Sequence, residues 1–431
     1  METRERKRRG FMKISVHNLQ VSPFFAGDVR YFGNAWVELS GTFGKKAARD
    51  ETSDWSDKTN RTSETAKTKG TASTVERNNA DISQLLCWNL CPYKEKDMPV
   101  IIFPELWTDG SVESFLEVSV LSKGTKGAPY WFHQYPLRNE MAPIVLSEPI
   151  EGQLSFSLFA RGKGTLHVGT LHVREQRSTY GTILPGDRRI ADSFGGELFS
   201  YFDPGNRKAP LTVHFADIDR QEAFGDTKVF RLYGVPQLQF FDPRLFDGCF
   251  YIGTEDLEKR ITETVAHAMQ QLHFEGKDVV FSGFGMGAYA ALYYGIQFKP
   301  SAILMTEPVL DIYTAAKGER TLRPGRFPGA MDAYRYLMLE KGLRDPNVLN
   351  DLIWQRTDAA DFSQTEFAIA YMQDDDFDPE AYDKLVSHLS KQGVRIYGKG
   401  ITGRHGDAPD EIRSWYLHQY RRILAERFER Q

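Results

Sequence analysis

Cysteine is scarce in this chain, with three in 431 residues: Cys87, Cys91 and Cys249. An odd, low count excludes a disulfide framework and fits a reducing compartment. Cys87 and Cys91 stand four apart, but no second Cys or His pair completes a zinc set. They read as ordinary buried thiols, and neither a metal nor a cofactor is expected. Long apolar runs are missing too; nothing approaches the stretch that spans a bilayer. Charge of one sign is not in excess, with 54 Lys and Arg against 58 Asp and Glu and a net charge of -4. That balance gives no electrostatic case for nucleic acid, and at most a peripheral contact with an anionic membrane. The first residues, METRERKRRGFMKISVHNLQ, are basic but carry no apolar core, so they do not read as a secretory signal. A solvated basic tail over 1–12 is the expectation, with a polybasic lipid contact as the alternative.

Residues 44–80, GKKAARDETSDWSDKTNRTSETAKTKGTASTVERNNA, hold almost no aliphatic side chains. Such text cannot bury enough apolar surface to offset its chain entropy, which predicts a disordered insertion. Strand-like text flanks it on both sides, so it interrupts a domain. From about 97 to 180, PVIIFPEL, SFLEVSVLS, GQLSFSLFARG and GTLHVGTLHVRE alternate apolar and polar residues between turns. Short strands at that spacing predict a sandwich-like all-β domain over 13–205. ILPGDRR and YFDPGNRKAP mark its end with Pro, Gly and charge.

From 206 to 431 the pattern alternates. LTVHFADI, VPQLQFFDP, KDVVFSG, SAILMTEP, EFAIAYM and VRIYGKG read as near-continuous apolar strands. Helical text separates several of them. TEDLEKRITETVAHAMQQL has Thr254 as a cap and Leu257, Ile261, Val265, Met269 and Leu272 on one face. PDEIRSWYLHQYRRILAERF starts with Pro409, then Asp410 and Glu411 near the positive helix end. The prediction is a doubly wound parallel sheet of the α/β-hydrolase kind.

VVFSGFGMGAYAALYYG, residues 279–295, has the outline of a nucleophile elbow, G-x-S-x-G, without its serine. Gly283 and Gly287 bracket Gly285, which has no side chain and cannot form an acyl-enzyme. The hydrolase order is nevertheless kept: elbow, then an acid after a later strand, then a histidine before the last helix. Asp375, with Asp374 as the alternative, fills the acid slot, and His405 in GRHGD fills the base slot. The imidazole would move the proton, the carboxylate would orient it, and the Met286 N–H would help bind an oxyanion. Each alone has a plainer reading, a solvated turn for the DDD run and a surface loop for His405. Their joint occurrence in order favours the site. Gly283, Gly285 and Ala288 also match dinucleotide-binding spacing, but the motif does not open the domain and no acid ends the next strand at the required offset. Ser282 should point away from the elbow tip, and Ser301 begins the next strand, so neither replaces the missing serine.

These residues carry a resemblance. GELFSYFDPGNRKAPLTVHF, FFDPRLFDGCFYIGTEDLE, VFSGFGMGAYAALYYGIQFKPSAIL, RPGRFPGAMD and GRHGDAPDEIRSWYLHQYRRIL resemble the second accessory secretory protein family of the bacterial accessory Sec system. The likeness is best over the C-terminal part of the chain. It implies a β-sandwich-like region before an α/β-hydrolase domain. It also implies work in the cytoplasm beside two sister accessory secretory proteins and an accessory Sec motor ATPase, which export serine-rich repeat glycoproteins. Some members resemble esterases and O-acetylate N-acetylglucosamine on those adhesins through a Ser, an acid and a His. Carried over by position, the nucleophile slot is Gly285, and Met286 and Gly287 match the family's G-x-S-M-G. A second departure follows LTVHF. The family tends to place a small Ser-Gly pair beside the oxyanion there; this chain has Ala216 and Asp217. A carboxylate at that place would repel the developing charge.

Two expectations result. One is a catalytically inactive accessory Sec component that binds its sister proteins and the adhesin. The other is an active carbohydrate O-acetyltransferase or esterase in which His405 activates water or an acceptor hydroxyl directly. Trp107 and Tyr130-Trp131-Phe132 could meet sugar in the first case, although core packing is the favoured reading for them.

Overall fold

A computed structural model describes residues 12–430 except 15, 33–35, 45–81, 122–128, 139–142, 177–182, 185, 192–195, 218–221, 223, 225–226 and 246–247. The disordered insertion expected at 44–80 lies outside the described residues apart from Gly44, and the basic tail lies outside them apart from Met12.

The N-terminal half is all β, as the alternation predicts. Its central element is one 24-residue strand, Gly152–Glu175. Residues 152–161 of it pair with Ser83–Trp88, Tyr93–Lys94 and Glu113–Leu121. Residues 162–175 pair with Trp36–Phe43, Val100–Gly110 and Met12–Ile14. Two antiparallel layers thus share a strand and close over a common apolar core that includes Leu39, Val118, Leu154, Phe156, Leu166 and Val168. The shared strand changes layers at Gly162, φ 104°, where a Cβ would run into the Ser111 carbonyl; only glycine fits.

The core reading of the aromatics is corrected here. Trp131 packs against the core, but Trp107, Tyr130 and Phe132 are exposed. Strand side chains alternate, and Trp107 takes the outward register, paired across the ladder with His167. Cys87 and Cys91 are half-buried and only Cys249 is buried.

The second half is an eight-stranded sheet. In spatial order its strands are Asp187–Ala191, Glu197–Asp203, Gln237–Phe241, Leu211–Phe215, Val279–Phe284, Ala302–Thr306, Glu366–Met372 and Arg395–Ile401. Numbered along the chain that order is 1-2-4-3-5-6-7-8, with the second strand antiparallel to its neighbours and the rest of the ladder, from the fourth onward, parallel. This is the α/β-hydrolase arrangement. The boundary expected at 205/206 falls inside it, because strands 187–191 and 197–203 pair with this sheet and not with the β domain. Pro and Gly mark turns whether or not the turns separate domains.

Helices cover the sheet for the reasons their sequences suggest. In Glu255–Leu272 the Thr254 side chain accepts from the Leu257 N–H, a cap worth about 1 kcal/mol. Its buried face is Leu257, Ile261, Val265, Ala268 and Leu272; each large aliphatic there contributes roughly 1.5–3 kcal/mol. Met286–Gly295 is buried on every side and runs beneath the site. Three helices that periodicity did not resolve, Ile312–Thr321, Ala330–Glu340 and Pro346–Ala359, fill the connection between the sixth and seventh strands. No helix among the described residues is long and apolar enough to cross a membrane.

A buried ion network joins the two halves. His172 and Arg174 share one face of the long strand. His172 Nε2 meets Glu105 Oε1 at 2.9 Å and its Nδ1 meets Glu222 Oε1 at 2.6 Å. Arg174 donates to Glu222 at 2.7 Å and to Glu197 at 2.6 Å, and Arg189 donates to Glu197 at 2.5 Å. Glu197 and Glu222 belong to the α/β half. Trp36 of the β half, partly buried, packs against the α/β core. Burial opposes charge on His172, but Glu222 and Glu105 outweigh it and raise its pKa to about 9. The unfolded imidazole titrates at 6.5. The stabilisation is therefore complete below pH 6.5 and is lost as pH rises through about 9. Denaturation midpoints compared across that window should fall towards high pH in the wild type, and His172→Gln should flatten the fall.

Candidate functional site

The elbow is built by close backbone contact. A Cβ on Gly283 would strike the Gly287 carbonyl, and one on Gly287 would lie 2.8 Å from the Ala216 carbonyl oxygen and closer still to that of Phe215. Glycine at both places lets strand, turn and helix cross the third strand at backbone distance. Gly285 has φ 51° and ψ −117°, a strained turn that aims residue 285 outward at the carboxyl end of the sheet. Its N–H donates to the Thr306 carbonyl at 2.9 Å.

Asp217 occupies the ground that a nucleophile and an oxyanion would share. The Met286 N–H donates to Asp217 Oδ1 at 3.3 Å. A Cβ built on Gly285 would lie 2.7 Å from Asp217 Cγ and 2.9 Å from Oδ2. Ala216 is fixed beside it, its N–H donating to the Phe240 carbonyl and its carbonyl accepting from the Tyr251 hydroxyl at 2.7 Å. Tyr251 is in turn held by Asp242, whose carboxylate accepts from the N–H groups of Cys249 and Tyr251 and pairs with Arg244.

The acid and base positions meet as a pair. His405 Nδ1 donates to Asp375 Oδ2 at 3.0 Å. Asp375 Oδ1 accepts from the N–H groups of Phe377 and Asp378 at 2.8 and 3.2 Å, and Phe377 stacks on the imidazole. Asp374 does not face the ring in this way; its N–H donates to the Gly403 carbonyl. Both Asp375 and His405 are buried to 9% exposure. Burial disfavours the imidazolium, but the Asp375 bond and the charges of Asp375, Glu307 and Asp217 prevail, so His405 has a raised pKa. Burial likewise opposes the Asp375 charge, and the bond to His405 outweighs it, so its pKa is lowered.

Sequence reasoning missed Glu307, Arg323 and Arg326. Glu307, at φ 46°, follows the sixth strand, and its Oε1 accepts from the Gly406 N–H at 2.6 Å. Its pKa is raised, first by burial and then by Asp217 and Asp375 against the opposing His405. Arg323 donates to the His405 carbonyl at 2.6 Å and to Asp407 at 2.8 Å, and Arg326 donates to the Gly406 carbonyl at 3.2 Å. A signal existed: ligands of open α/β sheets gather outside the carboxyl ends of strands. Reading the residues just past each strand would have collected Asp217, Gly285, Glu307 and Asp375 together. Ser282 is turned the other way, bonded to His214 Nδ1 at 2.8 Å and to the Tyr416 hydroxyl at 3.0 Å. Ser301 is bonded to the Lys277 carbonyl.

Asp217 lies against the Met286 N–H, and the carboxyl groups of Asp375, Glu307 and Asp217 all act on His405. The site offers no side-chain nucleophile at 285. Asp375→Asn should lower the His405 pKa, read from imidazole titration by NMR; an unchanged midpoint would contradict the pairing.

Comparison with known proteins places this fold in a family. A family model described as the accessory Sec system GspB-transporter matches residues 69–430. An accessory Sec system protein of Staphylococcus aureus is 32% identical over 421 residues, covering 97% of this chain and 74% of that protein. Its counterpart in Streptococcus gordonii is 30% identical, covering 97% of this chain and 75% of its own. A solved Glycosylation Associate Protein (Gap123) complex from Streptococcus agalactiae aligns with 99% of this chain and 77% of that chain, at 30% identity and a TM-score of 0.80. The likeness thus extends through the β half, beyond the C-terminal part where the motifs are densest. The chain belongs to the accessory Sec system GspB-transporter family.

Proposed function

We propose that this chain serves the accessory Sec system as a binding component and does not perform acyl transfer. The observation that carries the reading is the Asp217 carboxylate bonded to the Met286 N–H. An acyl-transfer site needs donors waiting for a charge that develops only in the transition state. Here a fixed charge takes the donor, and position 285 has no side chain to attack with. Gly285, Asp375 and His405 are then the nucleophile, acid and base positions of an esterase-like ancestor geometry, with the first vacant.

The partners that family membership supports are the sister accessory secretory proteins, the motor ATPase and a serine-rich repeat glycoprotein, met in the cytoplasm or at the inner membrane face. Exposed Trp107, Tyr130 and Phe132 offer flat apolar faces of the kind that stack on sugar rings, which supports contact with the adhesin's glycan. The competing reading keeps His405 and Asp375 as a base that activates water or an acceptor hydroxyl. Their intact pairing favours it, and the filled oxyanion position opposes it.

Wild-type protein should give no burst of nitrophenol from a nitrophenyl acyl ester and no labelling by a serine-directed phosphonate. A stoichiometric burst would overturn the proposal. Gly285→Ser alone should stay near background, because its Cβ meets the Asp217 carboxylate. Adding Asp217→Ser should raise esterase activity by about 10²-fold over the single variant, the usual size of a recovered oxyanion donor.

A further inference from the structure

One face of the β half is covered over only part of its length. On the strand Val100–Gly110, Glu105 and Trp107 point to that face. Glu105 meets His172, which is bonded to Glu222 of the α/β half, so the cover reaches Glu105. On the strand Trp36–Phe43 the cover reaches Trp36, which packs against the α/β core, and Glu38 is the next residue on the same face. Beyond this line the face is open, and Trp107 is 51% exposed. The register sets Trp107, His167, Glu38 and Arg30 side by side across four strands, a row about 14 Å wide.

The row combines an aromatic plane with uncommitted polar groups. The His167 ring packs against Trp107 at 4.9 Å and braces one edge of it. Among the described residues the Trp107 indole N–H has no hydrogen-bond partner. The Glu38 carboxylate lies 3.8 Å from Arg30 and 3.9 Å from His167, too far for a hydrogen bond to either. Its side chain is only 17% exposed, so it has lost most of its water without gaining a donor. Asp109, one step along the face from Trp107, accepts from the Thr165 N–H through Oδ1 at 2.8 Å, which leaves Oδ2. Asp28 stands in the same row as Asp109. Carboxylates therefore outnumber cations on this face, even with His167 counted as charged.

These features select a ligand. An excess of carboxylates repels anions, and it is unlike the centre of a protein interface, where Asp and Glu are depleted. A neutral sugar meets each feature. The C–H face of a pyranose stacks on the electron-rich face of an indole. Its hydroxyls donate charge-assisted hydrogen bonds to carboxylates, and its oxygens accept from the indole N–H. We propose that this open strip of the β half binds a neutral pyranose, with Trp107 as the floor and Glu38 as the hydroxyl acceptor. The inference rests on the glycan contact proposed above and gives it one place. Phe132 lies on a strand of the other layer, and the Tyr130 hydroxyl beside it is already bonded to the Glu151 carbonyl and N–H.

The test is saturation-transfer NMR on the full-length chain. The probes are the methyl β-glycosides of glucose and N-acetylglucosamine, with N-acetylneuraminic acid as the anionic control. Wild-type protein should transfer saturation to the ring C–H protons of at least one neutral glycoside and not to the acid. Trp107→Ala should abolish the transfer. Glu38→Gln, nearly isosteric, should weaken binding roughly tenfold, the loss of one hydrogen bond to a charged group. Tyr130→Ala should change nothing. Transfer that survives Trp107→Ala, in protein whose circular dichroism is unchanged, overturns the inference, as does full binding by Glu38→Gln or equal transfer to the acid. Loss of transfer in Tyr130→Ala with survival in Trp107→Ala overturns this site and leaves the glycan contact standing. Absence of transfer from wild-type protein to either glycoside overturns both. A nitrophenol burst bears on acyl transfer alone and leaves these outcomes unaffected.

Discussion

Everything at the site depends on one backbone crossing. Gly287 lets the elbow helix approach the carbonyls of Phe215 and Ala216 to a distance that no Cβ allows, and Gly283 lets the strand lie equally close to the Gly287 backbone. The residue that follows Ala216 must then lie against the first free amide of the helix. In this chain that residue is Asp217, and the Met286 N–H donates to its carboxylate. The crossing also buries the helix Met286–Gly295 on all sides, so the turn cannot relax away without exposing a core helix. The tight turn is therefore also what packs the helix against the sheet.

The electrostatics of the site follow from the same placement. In a working hydrolase the imidazole alternates between neutral base and transient cation, and one carboxylate attends it. Here Asp217, Glu307 and Asp375 all act on His405, and together they outweigh the cost of burying its charge. Asp375 benefits in return: its carboxylate is stabilised by His405 and by two amide donors, so the pair contributes stability above the ordinary carboxylate range and loses it as pH falls through the lowered Asp375 value. The pair thus has a structural role of its own, whatever its chemistry. Arg323 and Arg326, which brace the histidine loop through the carbonyls of His405 and Gly406, reinforce it.

Much of this was legible in the sequence, and the reason is local. Strands 279–284, 302–306 and 366–372 are nearly all apolar, and such runs between helices report a sheet covered on both faces. Thr254 before an amphipathic run fixed a helix start that the structure keeps. Gly285 in a serine's place needed no structure to notice. The strands 187–191 and 197–203 were misassigned because an antiparallel hairpin at the sheet edge looks like any other hairpin; only its partner, 237–241, identifies it. Trp107 looked like core because an aromatic in a strand does not state which face is solvated. Glu307 and Arg323 were invisible for a different reason. Their roles come from contacts about a hundred and about eighty residues away, at Gly406 and His405, which periodicity cannot encode.

Gly285 and Asp217 constrain each other from distant parts of the chain. A serine codon lies one base from a glycine codon, so position 285 is within easy reach of mutation. A side chain arriving there would put its Cβ inside contact distance of the Asp217 carboxylate and would have to displace it. What position 285 can accept is therefore set by position 217, and the two are tied in their history as they are in space.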